Sequence, residues 1–370
     1  MRFLLPGFVL LILITVLGKV QAWYLDESCH RPIKSAKSCP DSDDSDSDES
    51  DIEMGMGSGD TPVEYLQDMS SDLLKIIQSS FGLATNAQSA LDALKQGQSN
   101  EAQMDVLEFM YASAVQYNDG KERTVKSDHF DIITSIFDQI LGFKHQAPSH
   151  SKGDVGFFCD YSRYAEDKDH NGNDNPGWAW DRKLQKSVKM DDIFKECRDL
   201  IAGDGEDWFW FADARAANGE EPSIQLCQGF FDIIREDEYK IWEDISSDLE
   251  NALSRIETSR FTEDVPITDM DKASRYDQYV VHELSHVIAK HATNDRRQEY
   301  SYGWDNCLRI SNQAKQLPDE YEASYMNADS AANAAQGFTI VSPGGKFEAH
   351  RPLKNGKIVP FQMTTKASGK

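Results

Sequence analysis

The chain has 370 residues and a formal net charge of −25, which argues against nucleic acid and anionic membrane surfaces as partners. An apolar fraction of 39% is enough for a hydrophobic core, and the length suits one large domain or two smaller ones. Part of the negative charge is local, because it lies in a run of aspartate and serine between residues 41 and 51.

The N-terminus has the features of a secretory signal peptide. Arg2 precedes an apolar run from Leu4 to Leu17, and residues 20–22 offer small side chains for cleavage. The run is short for a membrane-spanning helix, and no later stretch is long and apolar enough to cross a bilayer. We therefore expect residues 1–22 to be removed and the mature chain to be a secreted, extracellular monomer.

Six cysteines, an even number in a secreted chain, indicate disulfide bonds. Cys29 and Cys39 flank a short polar loop and are predicted to pair with each other. The remaining four are predicted to form two bridges in the main domain: Cys159, Cys197, Cys227 and Cys307. No CxxC spacing indicates a cysteine zinc site.

Composition divides the rest of the chain into four regions. Residues 23–60 hold the first cysteines and a predicted disordered acidic linker. Residues 61–145 show helical spacing and form a helical N-terminal region, either a propeptide or the front of the main domain. Residues 146–340 form that main domain, and residues 341–370 form a basic C-terminal tail.

The main domain is predicted to be α+β and mostly helical, with a small antiparallel sheet. Short strands are expected at Gly156–Tyr161 and Ser223–Cys227. Apolar periodicity predicts helices over five ranges: Met190–Ile201, Phe230–Ile256, Ala273–His291, Cys307–Leu317 and Glu320–Phe338.

One of these helices carries a metal-binding motif, His282-Glu283-Leu284-Ser285-His286. Residues four apart share a face of an α-helix, so both imidazoles can point at one ion, which we predict to be Zn²⁺. Glu283 projects about 100° away from His282, where it can act as a general base on a water. The neighbouring apolar residues indicate a buried helix, where unpaired imidazoles would be costly.

Zinc needs a third protein ligand while one position stays open for water. His291 lies five residues after His286, whereas metzincins need a histidine at six and a glycine where this chain has Ala289. The chain is therefore not a metzincin. Asp295 and Glu299 remain as candidates for the third ligand.

Three motifs in this order resemble the fungal deuterolysin-like metalloendopeptidases, or aspzincins: the 282–286 motif, Tyr302-Gly303, and Asn327-Ala328-Asp329-Ser330. The resemblance covers roughly residues 223–338. It implies a zincin-like fold, a zinc cofactor and hydrolysis of peptide or protein substrates. It also implies that a strand binds the peptide by edge pairing, for which Ser223–Cys227 is the candidate.

The resemblance also suggests roles for single residues. The family's metal-binding aspartate lies three residues before the Tyr-Gly pair, where this chain has Glu299, and the usual Gly-Thr is absent. Glutamate can bind zinc with its longer arm, so Glu299 is the predicted ligand and Asp295 the alternative. Tyr302 is expected either to donate to an oxyanion or to serve in packing. Asp329 is expected either to shape an acidic substrate pocket or to hold a histidine in place.

Two functional hypotheses follow. In the first, the chain is a secreted zinc endopeptidase in which His282, His286 and Glu299 hold the ion. Glu283 then deprotonates the bound water and passes a proton to the leaving amine, and Tyr302 stabilises the oxyanion. In the second, it is a secreted zinc-binding antigen of the same lineage that captures the metal without turnover. The presence of Glu283 favours catalysis, and the absence of the family's aspartate keeps the second hypothesis open.

Overall fold

The computed structural model describes residues 21–30, 62–120, 122–148, 154–168, 174–183, 185–190, 212–215, 222–256, 267–288, 292–295, 301–317, 324–342 and 349–361. The predicted signal peptide up to residue 20, the acidic linker and residues 191–201 of the predicted helix Met190–Ile201 lie outside the described residues. Within these ranges, no helix combines the length and the apolar character that a bilayer span requires.

The coarse α+β class is confirmed, and helices dominate. The described helices are α1 (Pro62–Lys95), α2 (Glu101–Met110), α3 (Ser127–Gly142), α4 (Gln228–Glu236), α5 (Trp242–Ser246), α6 (Leu249–Arg255), α7 (Asp269–Ala273), α8 (Tyr276–His286), α9 (Trp304–Gln316) and α10 (Ala328–Val341). The predicted helix Phe230–Ile256 is therefore three helices. The Asp244 carboxylate accepts hydrogen bonds from the backbone N–H groups of Lys240 and Ile241, which starts a new helix there.

The described strands are β1 (Ala22–Leu25), β2 (Val115–Asn118), β3 (Glu122–Val125), β4 (His145–Gln146), β5 (Val155–Phe158), β6 (Tyr164–Lys168), β7 (Asp174–Asp181), β8 (Lys186–Lys189), β9 (Ala212–Arg215), β10 (Ser223–Leu226), β11 (His350–Pro352) and β12 (Ile358–Pro360). Strands β6, β7 and β8 form an antiparallel sheet, and the pairs β2–β3 and β11–β12 are antiparallel ribbons.

The largest sheet has the order β4-β1-β5-β10-β9 and is mixed. Its first three pairings are parallel, and only β9 runs antiparallel to its neighbour β10. The prediction of an antiparallel sheet is therefore wrong for this sheet. Parallel neighbours need long connections, and the chain between β1 and β5 supplies one that includes α1, α2 and α3.

The N-terminal residues 22–30 are part of the fold. Composition places them ahead of the folded domain, but β1 lies inside the main sheet between β4 and β5. Trp23 is buried and packs against Phe81 of α1 and Phe157 of β5. The segment therefore contributes a strand and a large aromatic side chain to the core.

The disulfide pairing differs from the prediction. Cys29 is bonded to Cys159, so the predicted Cys29–Cys39 pair is wrong. Because β1 and β5 are parallel neighbours, the residues that follow them meet at the same end of the sheet. Cys227 is disulfide-bonded, whereas Cys307 is a free, buried thiol and forms none of the predicted bridges.

One hydrophobic core extends from Trp23 to Ile358 and includes the helices of the N-terminal region. Helix α8 packs against α1 and α10, and β9 lies against it as well. Every residue of α10 is buried, and Gly337 permits a close approach to α2, because an added Cβ would lie 2.9 Å from Val106. The predicted N-terminal helical region thus supports the helix that carries the metal-binding motif.

Candidate metal centre

The motif helix α8 ends at its second histidine, and the chain then returns alongside that end. The backbone N–H of Thr293 donates to the carbonyl of Ser285 at 3.0 Å, and the two hydroxyl oxygens lie 2.6 Å apart. Asn294 then forms a parallel bridge with Asn327, just before α10 begins. These contacts place Asp295 beside the last turn of α8.

Both imidazoles face this aspartate. The Nε2 atom of His282 lies 3.1 Å from Oδ1 of Asp295, and the Nε2 atom of His286 lies 3.6 Å from the same oxygen. The two ring centroids are 4.9 Å apart. The three candidate ligand atoms all lie within 4.8 Å of one another, and among the described residues no other His, Cys, Asp and Glu side chains form such a group.

The second nitrogen of each ring lies near an acceptor. His286 Nδ1 is 3.0 Å from the carbonyl oxygen of Thr293, and since a carbonyl can only accept, this nitrogen carries the hydrogen. His282 Nδ1 is 3.5 Å from Oδ1 of Asp329. A neutral imidazole protonated at Nδ1 keeps a lone pair on Nε2. Both Nε2 atoms can therefore offer lone pairs to the region next to Asp295.

The electrostatic surroundings of the two histidines differ. Burial alone lowers the pKa of His282, but its contacts with Asp295 and Asp329 outweigh burial and raise that pKa well above its usual value. Burial and the neighbouring His282 together lower the pKa of His286 to about 4, so this ring is neutral at pH 7. Without a metal ion the carboxylates favour a proton on His282, and a cation bound at Nε2 would take the place of that proton. His286 is already neutral.

Asp295 itself is held as a carboxylate. Burial acts to raise its pKa, but its contact with His282 and the charges of both histidines lower it to about 2. Its Oδ1 atom is buried and makes no hydrogen bond. An unsatisfied buried carboxylate oxygen costs free energy, and a cation between this oxygen and the two imidazoles would satisfy it. The donor set therefore fits a zinc ion.

The three candidate ligands differ in their exposure to solvent. The side chain of His282 is 6% exposed and that of His286 is 15% exposed, whereas that of Asp295 is 30% exposed. Asp295 is therefore the most exposed of the three candidate ligands. A catalytic zinc site needs access for water or substrate.

Tyr302 lies directly over the first histidine. Its ring stacks on that of His282 with centroids 5.7 Å apart and an interplanar angle of 17°. Burial and the nearby carboxylates raise the pKa of the phenol, so it remains a proton donor at neutral pH. Its hydroxyl also hydrogen-bonds to Asp295. The predicted catalytic tyrosine is thus in the site.

Glu283 follows His282 on α8 and is half-buried. Its charge contributes to raising the pKa values of both His282 and Tyr302. Its role as a general base stays a prediction.

Asp329 lies on the side of the His282 ring opposite Asp295. It is in the first turn of α10, it is buried, and its Oδ1 faces His282. Its other oxygen accepts hydrogen bonds from Gly303, Asn333 and Cys307. This position favours the alternative in which Asp329 holds a histidine, and the substrate-pocket role stays a prediction.

The structure therefore brings together most of the predicted site: His282, His286, Tyr302, Asp329 and the alternative ligand Asp295. The predicted ligand Glu299 lies outside the described residues. Sequence reasoning missed Thr293, which orients the second histidine through its backbone carbonyl, an interaction that no residue pattern reveals.

Comparison of the chain with protein-family models, with curated proteins and with solved structures gives no match. The resemblance to deuterolysin-like enzymes therefore depends on the three short motifs alone.

Proposed function

We propose that this chain is a secreted zinc endopeptidase that hydrolyses peptide bonds with a water molecule as the nucleophile. The observation that carries the proposal is the convergence of His282 Nε2, His286 Nε2 and Asp295 Oδ1 within 4.8 Å, with the carboxylate oxygen lacking a hydrogen bond. Two histidines and one carboxylate are an established ligand set for catalytic zinc. Asp295 takes the place of Glu299 as the proposed third ligand.

The signal-peptide pattern at residues 1–22 and the Cys29–Cys159 disulfide support the secretion part of the proposal.

The proposed division of work among the side chains follows from their chemistry. When bound, Zn²⁺ supplies Lewis-acid polarisation of the attacking water and of the substrate carbonyl. Glu283 removes a proton from the attacking water and then delivers it to the nitrogen of the leaving amine. The Tyr302 phenol donates a hydrogen bond to the oxyanion that forms at the cleaved carbonyl.

The edge of the main sheet offers a place for an extended substrate. The predicted strand, β10, has β5 on one side and β9 on the other, so the interpretation of Ser223–Cys227 as a peptide-binding edge is wrong. Among the described strands, β9 (Ala212–Arg215) is the edge strand next to α8. We infer that a substrate pairs with β9, since strand addition supplies backbone hydrogen bonds irrespective of sequence.

The test is cleavage of casein by the purified chain with and without a chelator, together with a Glu283→Gln variant. We expect chelator-sensitive cleavage, reduced by about 10²–10⁴-fold in the variant, the usual effect of losing a general base. The matched control is Glu250→Gln, which changes an exposed glutamate of α6 in the same way.

The outcomes separate the two functional hypotheses. Chelator-sensitive cleavage that Glu283→Gln abolishes and Glu250→Gln leaves intact supports the endopeptidase. Stoichiometric zinc uptake without any hydrolysis would instead select the zinc-capturing antigen. Absence of zinc from the purified, zinc-treated chain would contradict both hypotheses.

A further inference from the structure

Asp329 connects two separate parts of the candidate site. Its Oδ1 lies 3.5 Å from Nδ1 of His282, on the side of the ring opposite the candidate metal position. Its Oδ2 accepts from the backbone N–H of Gly303 at 2.7 Å and from the Asn333 amide at 2.8 Å. One carboxylate on α10 thus contacts both a ligand on α8 and the turn that follows Tyr302.

That turn depends on two buried carboxylates. The N–H of Gly303 points to Asp329, while the next N–H, that of Trp304, donates to Asp271 at 2.7 Å. Gly303 has a φ of +80°, a conformation that glycine adopts readily and other residues rarely adopt. An added Cβ would also lie 3.2 Å from Asp271. The turn is therefore held in one conformation, and the Tyr302 ring stacks on His282.

We propose that Asp329 is a positioning residue that holds His282 and the Tyr302 turn in one common arrangement. This inference rests on the proposed function, since it assigns Asp329 a role toward a bound zinc ion. The carboxylate keeps the hydrogen of His282 on Nδ1, so that Nε2 presents its lone pair to the metal. Through Gly303 it also fixes the distance between the phenol-bearing turn and that imidazole.

The contacts of Asp329 distinguish this role from a substrate pocket. Both oxygens already face protein donors, and the residue is buried. A basic substrate side chain would have to displace the donors Gly303, Asn333 and Cys307. If Asp329 only shapes a substrate pocket, its loss should leave zinc affinity unchanged in the absence of substrate, whereas loss of a positioning residue should weaken zinc binding.

The experiment measures zinc affinity of the purified chain by competition with a chromophoric chelator. Asp329→Asn removes the charge while keeping the size of the side chain, and we expect about 10–100-fold weaker zinc binding, the usual effect of losing such a partner. The matched control is Asp277→Asn. Asp277 is a buried carboxylate on α8 whose hydrogen bonds go to Ser79, Trp242 and Gln278 and not to an imidazole. The control is expected to bind zinc like the wild type.

The outcomes are distinguishable. Wild-type affinity in Asp329→Asn, with or without a changed cleavage preference, overturns the positioning role and leaves the proposed function standing. Equal weakening in both variants also overturns it, because a general loss of packing would then be the cause. A wild-type chain that takes up no zinc overturns the proposed function, and this inference with it.

A second measurement does not need the variant to fold. Imidazole ¹⁵N–¹H spectra of the zinc-treated wild-type chain report which nitrogen of each histidine carries the hydrogen. We expect His282 to carry it on Nδ1, facing Asp329, with Nε2 bound to the metal. A hydrogen on Nε2, or a metal bound through Nδ1, would overturn the inference.

Discussion

At the first turn of α8, Asp277 is completely buried, and the protein satisfies both of its oxygens. Oδ2 accepts from the Ser79 hydroxyl at 2.7 Å and from the Trp242 N–H at 3.0 Å, while Oδ1 accepts from the N–H of Gln278. Beside the last turn of the same helix, Asp295 presents a buried oxygen that makes no hydrogen bond, with two imidazole nitrogens within 3.6 Å.

The difference between the two ends of α8 indicates two different roles for buried carboxylates. Asp277 joins α8 to α1 and α5 through protein donors alone, as a structural residue does. Oδ1 of Asp295 accepts no hydrogen bond, and a cation would fit between this oxygen and the two imidazole nitrogens. A buried acceptor left unsatisfied by the fold is a better indicator of a ligand than burial or charge by itself.

The largest expected effect comes from removing a ligand at the C-terminal end of α8. His286→Ala should weaken zinc binding by more than about 100-fold, which exceeds the effect of losing an outer hydrogen-bond partner. The measurement is the same chelator competition, and His145→Ala, which removes an exposed histidine of β4, is the control. Wild-type zinc affinity in His286→Ala would contradict the assignment of the metal centre.

A smaller effect is expected on stability. A ligand that binds only the folded state should raise the free energy of unfolding by about 2.7 kcal/mol when its free concentration is 100 times Kd. Urea unfolding with and without zinc measures this increase, which should be absent in His286→Ala. Zinc should raise the free energy of unfolding of Asp277→Asn by the same amount as that of the wild type, which would show that the two ends of α8 act independently. If zinc does not stabilise Asp277→Asn, the assignment of a purely structural role to Asp277 is wrong.

The smallest expected effect concerns Asp277, in the first turn of α8. Burial raises the pKa of Asp277 to about 6, and the hydrogen bonds from Trp242 and Ser79 only partly oppose this. Because the folded pKa exceeds the unfolded one, the contribution of Asp277 to stability is fully present below about pH 4. It is lost as the pH rises through about 6.

Asp277→Asn should remove this pH dependence. Relative to the wild type, the variant should gain about 2 kcal/mol in free energy of unfolding between about pH 4.5 and about pH 7.5. Urea unfolding at both pH values measures the change, and zinc must be absent so that the metal centre does not contribute. If the free energies of unfolding of variant and wild type differ by the same amount at both pH values, Asp277 does not titrate in this range.

Local patterns identified several side chains that lie close together in the structure, but they predicted the surrounding fold less well. The four-residue spacing of His282 and His286 placed both rings on one face of a helix, and Tyr302 was assigned to the site from a short motif. The helix boundaries were less accurate, since α8 begins at Tyr276 and ends at His286 instead of spanning Ala273–His291. Helix ends depend on capping and on return contacts such as that of Thr293, which periodicity does not encode.

The disulfide pairing and the strand order show a second limit of prediction from the sequence. The pairing of Cys29 with Cys159 spans 130 residues and depends on the parallel pairing of β1 with β5. Spacing along the sequence favours Cys39 as the disulfide partner of Cys29. The order of the strands, which decides the actual partner, depends on packing over the whole chain. For the same reason β10 is an interior strand and not the predicted edge.

The sequence by itself determined that two imidazoles share a helix face, because the α-helical repeat is a local property of the backbone. Only the tertiary structure decided that Asp295 faces both rings, that Thr293 and Asp329 contact their outer nitrogens, and that the N-terminal strand enters the main sheet. These contacts join segments distant in sequence or separated by an irregular turn. Their geometry depends on how the helices and the sheet pack into one core.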